Sequence, residues 1–338
     1  MRTLAILSAT AVGLLSPLAS HAEAVDYFKG KPLTVITSTG AGGPYDLVAR
    51  VVAKYLTRNL PGNPPPVIQN MPGAGHVLAT NYMYNQAAQD GTVIAIVANS
   101  IPLHQMINGK GVRYDARKIN WLGSTGISNL ATVAWHTSGI KTTEDVKQRE
   151  LITGVTGAGS GTYLYPAVMN LVLGTKFKFV MGYKSSTEIG LAMERGEVLG
   201  RSGTSIAGMN QENPDWLAEK KVFVLSQVGA KRDPLLPDVP LMEELGRTPQ
   251  EKAILKLVSS PVSLGRPFLT GPGVPTDRVE ILRRAFDAVM KDRQFIDEAA
   301  KAQIELAPLT GKQVTQIVAD SFATPADLVD KVRSLMAQ

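Results

Sequence analysis

The sequence predicts an α/β chain folded as two doubly wound lobes around a ligand cleft. Three observations carry that prediction. A strand, a glycine-rich loop and a helix follow one another at residues 33–56, and the same grammar restarts at 151–173. Strand segments read as short continuous apolar runs, the pattern of parallel sheets covered on both faces. The 338 residues, 44% apolar and 19% charged, exceed one ordinary domain and are globular in composition.

In chain order, Leu33-Thr34-Val35-Ile36-Thr37 is a buried strand that runs into Gly40-Ala41-Gly42-Gly43-Pro44. Leu47, Val48, Val51, Val52, Tyr55 and Leu56 then recur at helical spacing. Asp46 stands at the start of that run, where a carboxylate caps free N–H groups. The proline cluster at 61–66 stops the helix, Val67-Ile68 opens a second strand, and Pro72-Gly73-Ala74-Gly75 leads into a helix through Leu78, Tyr82 and Met83. Val93 to Val97 is a third strand. The restart brings a strand at Leu151 to Val155, the loop Gly157-Ala158-Gly159-Ser160-Gly161-Thr162 and a helix from Tyr163 to Leu173. A strand at Phe177 to Val180, a helix at Ser186 to Arg195, a short strand near Val198 and another at Val222 to Leu225 follow. From about Arg278 the pattern is mostly helical, ending around Leu328 to Met336.

At the N-terminus, Arg2 precedes an apolar stretch from Leu4 to about Leu18, and Ser20 and Ala22 have the spacing of a signal-peptidase site. Residues 1–22 are therefore expected to be a cleaved secretion signal, which puts the mature chain in the periplasm. A short anchor helix is the competing reading. No cysteine is present, so disulfides and a lipoprotein anchor are excluded. The net charge of +6 is scattered, its densest groups being pairs such as Lys231-Arg232 and Arg283-Arg284. Nucleic-acid binding needs a concentrated basic stripe, so no such partner is expected.

Catalytic signatures are missing. His76, His104 and His136 have no metal-pair spacing, and no H-E-x-x-H occurs, so neither a metal nor a cofactor is expected. The Gly157–Thr162 loop lacks the Gly-Lys-Ser/Thr ending of a P-loop and the flanking glycines of G-x-S-x-G. What both glycine loops do offer is anion chemistry. Glycine lets backbone N–H groups approach a ligand, the following helix points its positive end there, and Ser38, Thr39, Ser160 and Thr162 add hydroxyl donors. Such donors contribute ~1.5–3 kcal/mol each, so about four to six reach micromolar binding after association costs, with no buried arginine required. The alternative is that both loops are only tight βα turns. Two at matching positions, facing each other beyond the carboxyl ends of two sheets, favour a ligand cleft.

Several ordered motifs resemble a known family. They are Lys31-Pro32-Leu33-Thr34-Val35-Ile36 with the Gly-Gly-x-x-Asp loop and Ala49-Arg50, then Gln69-Asn70-Met71-Pro72-Gly73-Ala74-Gly75, Asp90-Gly91-Thr92, Gly157 to Thr162, Gly182-Tyr183-Lys184, Gly196-Glu197-Val198, and Pro237-Asp238-Val239-Pro240. From Tyr27 to about Phe322 the chain is similar to the periplasmic solute receptors of tripartite tricarboxylate transporters, the Bug receptors. The resemblance implies a type II periplasmic-binding-protein fold with crossovers near Thr125 and Gln227. Lobe 1 is then 23–125 plus 228–338, and lobe 2 is 126–227. It implies a carboxylate held by Thr39, Gly40, Ala41, Gly42, Gly43, Ser160, Gly161 and Thr162, with Asn99, Ser100 and Tyr183 lining the cleft. For Tyr183 a core-packing role is the alternative.

Two departures from the family pattern matter. Gly203 aligns where some members hold a ligand ammonium with an aspartate, which argues against an amino-acid ligand and leaves Thr204 as a neutral donor. Pro44-Tyr45 replaces small residues, so Tyr45 is expected at the ligand's far end. The expected protein is a monomeric, non-enzymatic receptor that closes on a small carboxylate and hands it to membrane permease subunits. Two other classes fit the same features: a receptor reporting to a membrane sensor kinase, and a periplasmic enzyme acting on a carboxylate through Ser160.

Overall fold

A computed structural model describes residues 27–126, 129–229 and 231–336; the expected secretion signal lies outside them. Strands β1 (Leu33–Thr37), β2 (Pro66–Asn70), β3 (Val93–Ile96) and β4 (Asn120–Ser124) come first. They are followed by β5 (Leu130–Trp135), β6 (Leu151–Val155), β7 (Phe177–Met181), β8 (Gly200–Ser205) and β9 (Val222–Val228), then by β10 (Pro267–Thr270) and β11 (Leu309–Thr310). Two mixed sheets result, with strand orders β11-β4-β10-β3-β1-β2 and β7-β6-β8-β5-β9. The parallel pairs are β1 with β2 and β3, and β6 with β7 and β8, as the βα units require. β10 runs antiparallel to β3 and β4, and β5 antiparallel to β8 and β9.

The inner strands of each sheet are covered on both faces. Val35, Ile94 and Phe268 point to one side of the first sheet and Ile36, Ala95 and Leu269 to the other, each inside its own apolar cluster. The second sheet divides likewise, with Leu151 and Ala134 on one side and Val133 and Ala131 on the other. Between β9 and β10 lies the helix Pro249–Ser259, which shares a core with the helix Gly161–Leu173.

One strand departed from its sequence pattern. The strand placed near Val198 is Gly200–Ser205, a run with no large apolar residue whose Arg201, Ser202 and Thr204 are nonetheless buried. It is stabilised by pairing: Thr132 Oγ1 meets Ser202 Oγ at 2.7 Å, and the Arg201 guanidinium lies 5.0 Å over the Trp216 ring. β4 carries Gly123, where a Cβ would sit 2.4 Å from the Phe286 ring, so an apolar signal there gives way to close packing.

Candidate ligand-binding site

The carboxyl ends of β1 and β3 face those of β6 and β8 and enclose a cavity of about 70 Å³. That is several times the roughly 10–15 Å³ needed by one water. The first lobe contributes Thr39, Pro44, Tyr45, His76, Ala98 and Asn99, with Gly265 and Arg266 from the turn into β10. The second contributes Leu130, Thr156, Ser160, Gly161, Thr162, Ser185, Ser186, Gly203, Thr204 and Ser205. The lobes touch around this space. Ser100 Oγ donates to Gly159 O at 2.7 Å, and Gly40 N donates to Lys184 O at 3.0 Å. Gly75 lies against the second loop so closely that a Cβ there would sit 2.6 Å from Ser160 N. This is a closed arrangement.

Thr39, Tyr45, Asn99, Ser160, Gly161, Thr162, Gly203 and Thr204 are thus brought together as expected from the sequence. Gly40, Ala41, Gly42, Gly43, Ser100 and Tyr183 are not among the lining residues. Gly40 and Gly43 press on Lys184 and Ser185 across the lobe contact, while Ala41 and Gly42 are exposed to solvent. Ser100 spends its hydroxyl on the lobe bridge, and Tyr183 packs against Gly154 on its own sheet.

The two helix ends differ electrostatically. The helix Pro44–Leu56 begins with a proline, which has no N–H, and its N-cap is Gly43 rather than Asp46. Asp46 sits inside the first turn. Its carboxylate accepts from Gly42 N and Arg50 Nε, both at 2.9 Å, and from Asn70 Nδ2 at 2.9 Å. Burial works to raise its pKa, but those three bonds outweigh burial and hold the carboxyl below its usual range. This end therefore carries its own anion. The helix Gly161–Leu173 has no acidic residue in its first turn. Its N-cap Ser160 turns its hydroxyl to Gly157 O at 2.8 Å, and Thr162 Oγ1 accepts from Thr156 N at 3.0 Å. The first amides of such a helix have no intrahelical partner, so a bare positive end borders the cavity.

Gly203 makes that approach possible. It has φ 62°, and a Cβ would sit 2.6 Å from Gly161 C and 2.8 Å from Thr162 N. Any side chain at this position would collide with the helix end in this arrangement.

Arg266 was not anticipated. It is 9% exposed, lines the cavity, and its guanidinium makes no hydrogen bond or ion pair among the described residues. Burial pulls its pKa down, and more distant Tyr45, Glu305 and Glu212 offset this only in part. Its backbone is placed by Gly265 at φ 60° and by a 3.0 Å bond from its own N–H to Ser124 Oγ. The available signal was a lone cation between glycine and proline, directly before the apolar Phe268-Leu269. His76, which has no metal-pair spacing in the sequence, is buried and lines the cavity, with Nδ1 2.7 Å from Ser38 Oγ. His104 is buried against Lys110 O, and His136 is exposed. Among the described residues no cluster of three or more His, Cys, Asp or Glu is placed to hold a metal.

Residues 48–333 match the model of the tripartite tricarboxylate transporter family receptor. The chain belongs to that family. A Cupriavidus necator relative, the UPF0065 protein in the gbd 5' region, is 26% identical over 98% of this chain and 97% of its own length. The periplasmic binding protein BugD has the same fold at TM-score 0.70 and 19% identity, covering 90% of this chain and 98% of its own. The R. palustris protein Rpa4515, solved with adipate, matches at TM-score 0.69 and 19% identity over 91% and 98% of the two chains. The family is one of binding proteins and not of enzymes, and this member is a periplasmic solute receptor that serves a membrane permease. No helix among the described residues is long and apolar enough to cross a membrane.

Proposed function

We propose that this receptor captures a small organic carboxylate in the interlobe cavity and delivers it to a tripartite tricarboxylate-type permease, after export through the cleaved leader 1–22. One observation carries the reading: a buried arginine without a counter-ion, Arg266, shares a closed cavity with the uncompensated end of the helix Gly161–Leu173. An unpaired buried cation is costly to the protein alone, and an anionic guest removes that cost. Gly161, Thr162 and Thr204 supply hydrogen-bond donors, and Thr39, Tyr45, Asn99, Ser160 and Gly203 shape the remaining wall. That R. palustris Rpa4515 was solved with adipate supports the same chemistry here. Gly40 to Gly43, Ser100 and Tyr183 would then serve closure and packing. The chain would cross between lobes at 125–126 and 227–228, and the hinge would lie at these crossings.

Calorimetry and thermal shift with mono-, di- and tricarboxylates test this reading. At least one is expected to bind with micromolar affinity, and Arg266→Met to weaken it by more than about 100-fold without lowering the melting temperature of the free protein. A broad panel with no binding carboxylate would overturn it.

A further inference from the structure

The first-lobe wall of the cavity contains a group that neither anion capture nor packing uses. We infer that His76 is a specificity-determining residue whose ring selects a carboxylate bearing a hydroxyl over the same carboxylate without one. This rests on the carboxylate reading above and names the kind of carboxylate.

The tautomer follows from hydrogen-bond bookkeeping. Ser38 has one hydroxyl hydrogen, and it goes to Ile96 O at 2.8 Å, a carbonyl that can only accept. The 2.7 Å contact between Ser38 Oγ and His76 Nδ1 therefore has its hydrogen on Nδ1. A neutral imidazole protonated at Nδ1 presents Nε2 as a bare acceptor. Burial keeps the ring neutral, pulling its pKa down to about 4. The ring is held in place by the left-handed backbone at φ 76° and by the Tyr45 ring, 5.2 Å away between centroids.

The chemistry of the guest follows. A carboxylate has no hydrogen to give Nε2 and is repelled by it, whereas a hydroxyl donates to it. An ammonium would donate too, but no Asp or Glu lines the cavity and Arg266 does, so a positive group is opposed. The fitting guest is a hydroxy acid, its carboxylate toward Arg266 and the Ser160–Thr162 end and its hydroxyl toward His76. A cavity built to bond a hydroxyl rejects the analogue lacking it, because its own acceptor is left unpaired.

Calorimetry on the mature protein with matched pairs decides the matter: lactate and propionate, 3-hydroxybutyrate and butyrate, malate and succinate, citrate and tricarballylate. In the tightest-binding pair the hydroxy member is expected to win by at least about tenfold. His76→Asn, which tolerates the left-handed backbone, should cut that preference below about threefold while the deoxy member's affinity holds. Ser38→Ala, which releases the tautomer, should also shrink the preference and serves as the second variant should the first fail to fold. A deoxy member binding as well as its partner, or a preference surviving either substitution, overturns the inference. Carboxylates binding without hydroxyl preference sink this inference alone; no carboxylate binding at all sinks the proposed function with it.

Discussion

The loops at 40–44 and 157–162 look alike in the sequence, each a glycine-rich turn between a buried strand and a helix, yet they do opposite work. The first turns its glycines outward or against the other lobe, and its helix end is already occupied by Asp46 and lacks an N–H at Pro44. The second turns Ser160, Gly161 and Thr162 into the cavity and leaves its helix end uncompensated. On the proposed function, an anion would be gripped mainly from the second lobe together with Arg266, while the first lobe would contribute closure and the neutral groups around His76. Loop composition signals capacity for anion binding; where the nearest carboxylate sits decides whether that capacity is free.

The comparison breaks most sharply if the second helix end is given its own acid. Thr162→Asp should weaken carboxylate binding by more than about 100-fold, measured by calorimetry, because a like charge replaces a donor in a closed cavity. The reciprocal change tests the first loop. Asp46→Asn should cost about 2–3 kcal/mol in chemical denaturation, since three partly buried charge-assisted bonds weaken. Carboxylate affinity should stay within about threefold, because the first loop is not the grip.

His76 sharpens the contrast through pH. The unfolded chain protonates this ring near its ordinary 6.5, but the folded chain resists until about 4. Stability from this residue is thus present above about pH 7 and lost as pH falls from 6.5 toward 4. Between about pH 7.5 and 5 the wild type should lose about 2 kcal/mol more than His76→Asn, read from denaturation curves. The smallest effect concerns closure. Gly75→Ala places a methyl at φ 62° and 2.6 Å from Ser160 N, wedging the lobes apart. Affinity should fall about tenfold, with a larger radius of gyration in small-angle scattering at saturating ligand.

Much of the scaffold was legible because burial on both faces writes itself as apolar runs: Leu33–Thr37, Val93–Ile96 and Leu151–Val155 stand out by composition. Gly200–Ser205 did not, since its buried side chains are polar and meet partners on other elements, Thr132 and Trp216. Of the cavity wall, the loop residues Thr39, Ser160 and Thr162 followed from position after a strand, and Asn99 from the family resemblance. Arg266 and His76 did not. Each comes from a segment whose local pattern predicts only a turn, and each acquires meaning from neighbours about 38 to 142 residues away, Ser38 and Ser124.

The sequence by itself determined the two α/β units, the absence of disulfides and the presence of two loops able to meet an anion, because strand burial, cysteine count and backbone freedom at glycine are local properties. Tertiary structure alone decided which helix end stays uncompensated, which glycines bear on the opposite lobe, and that an unpaired cation and a bare imidazole nitrogen border one cavity. Charge and hydrogen-bond satisfaction are sums over neighbours in space, and the chain order of residues does not contain those sums.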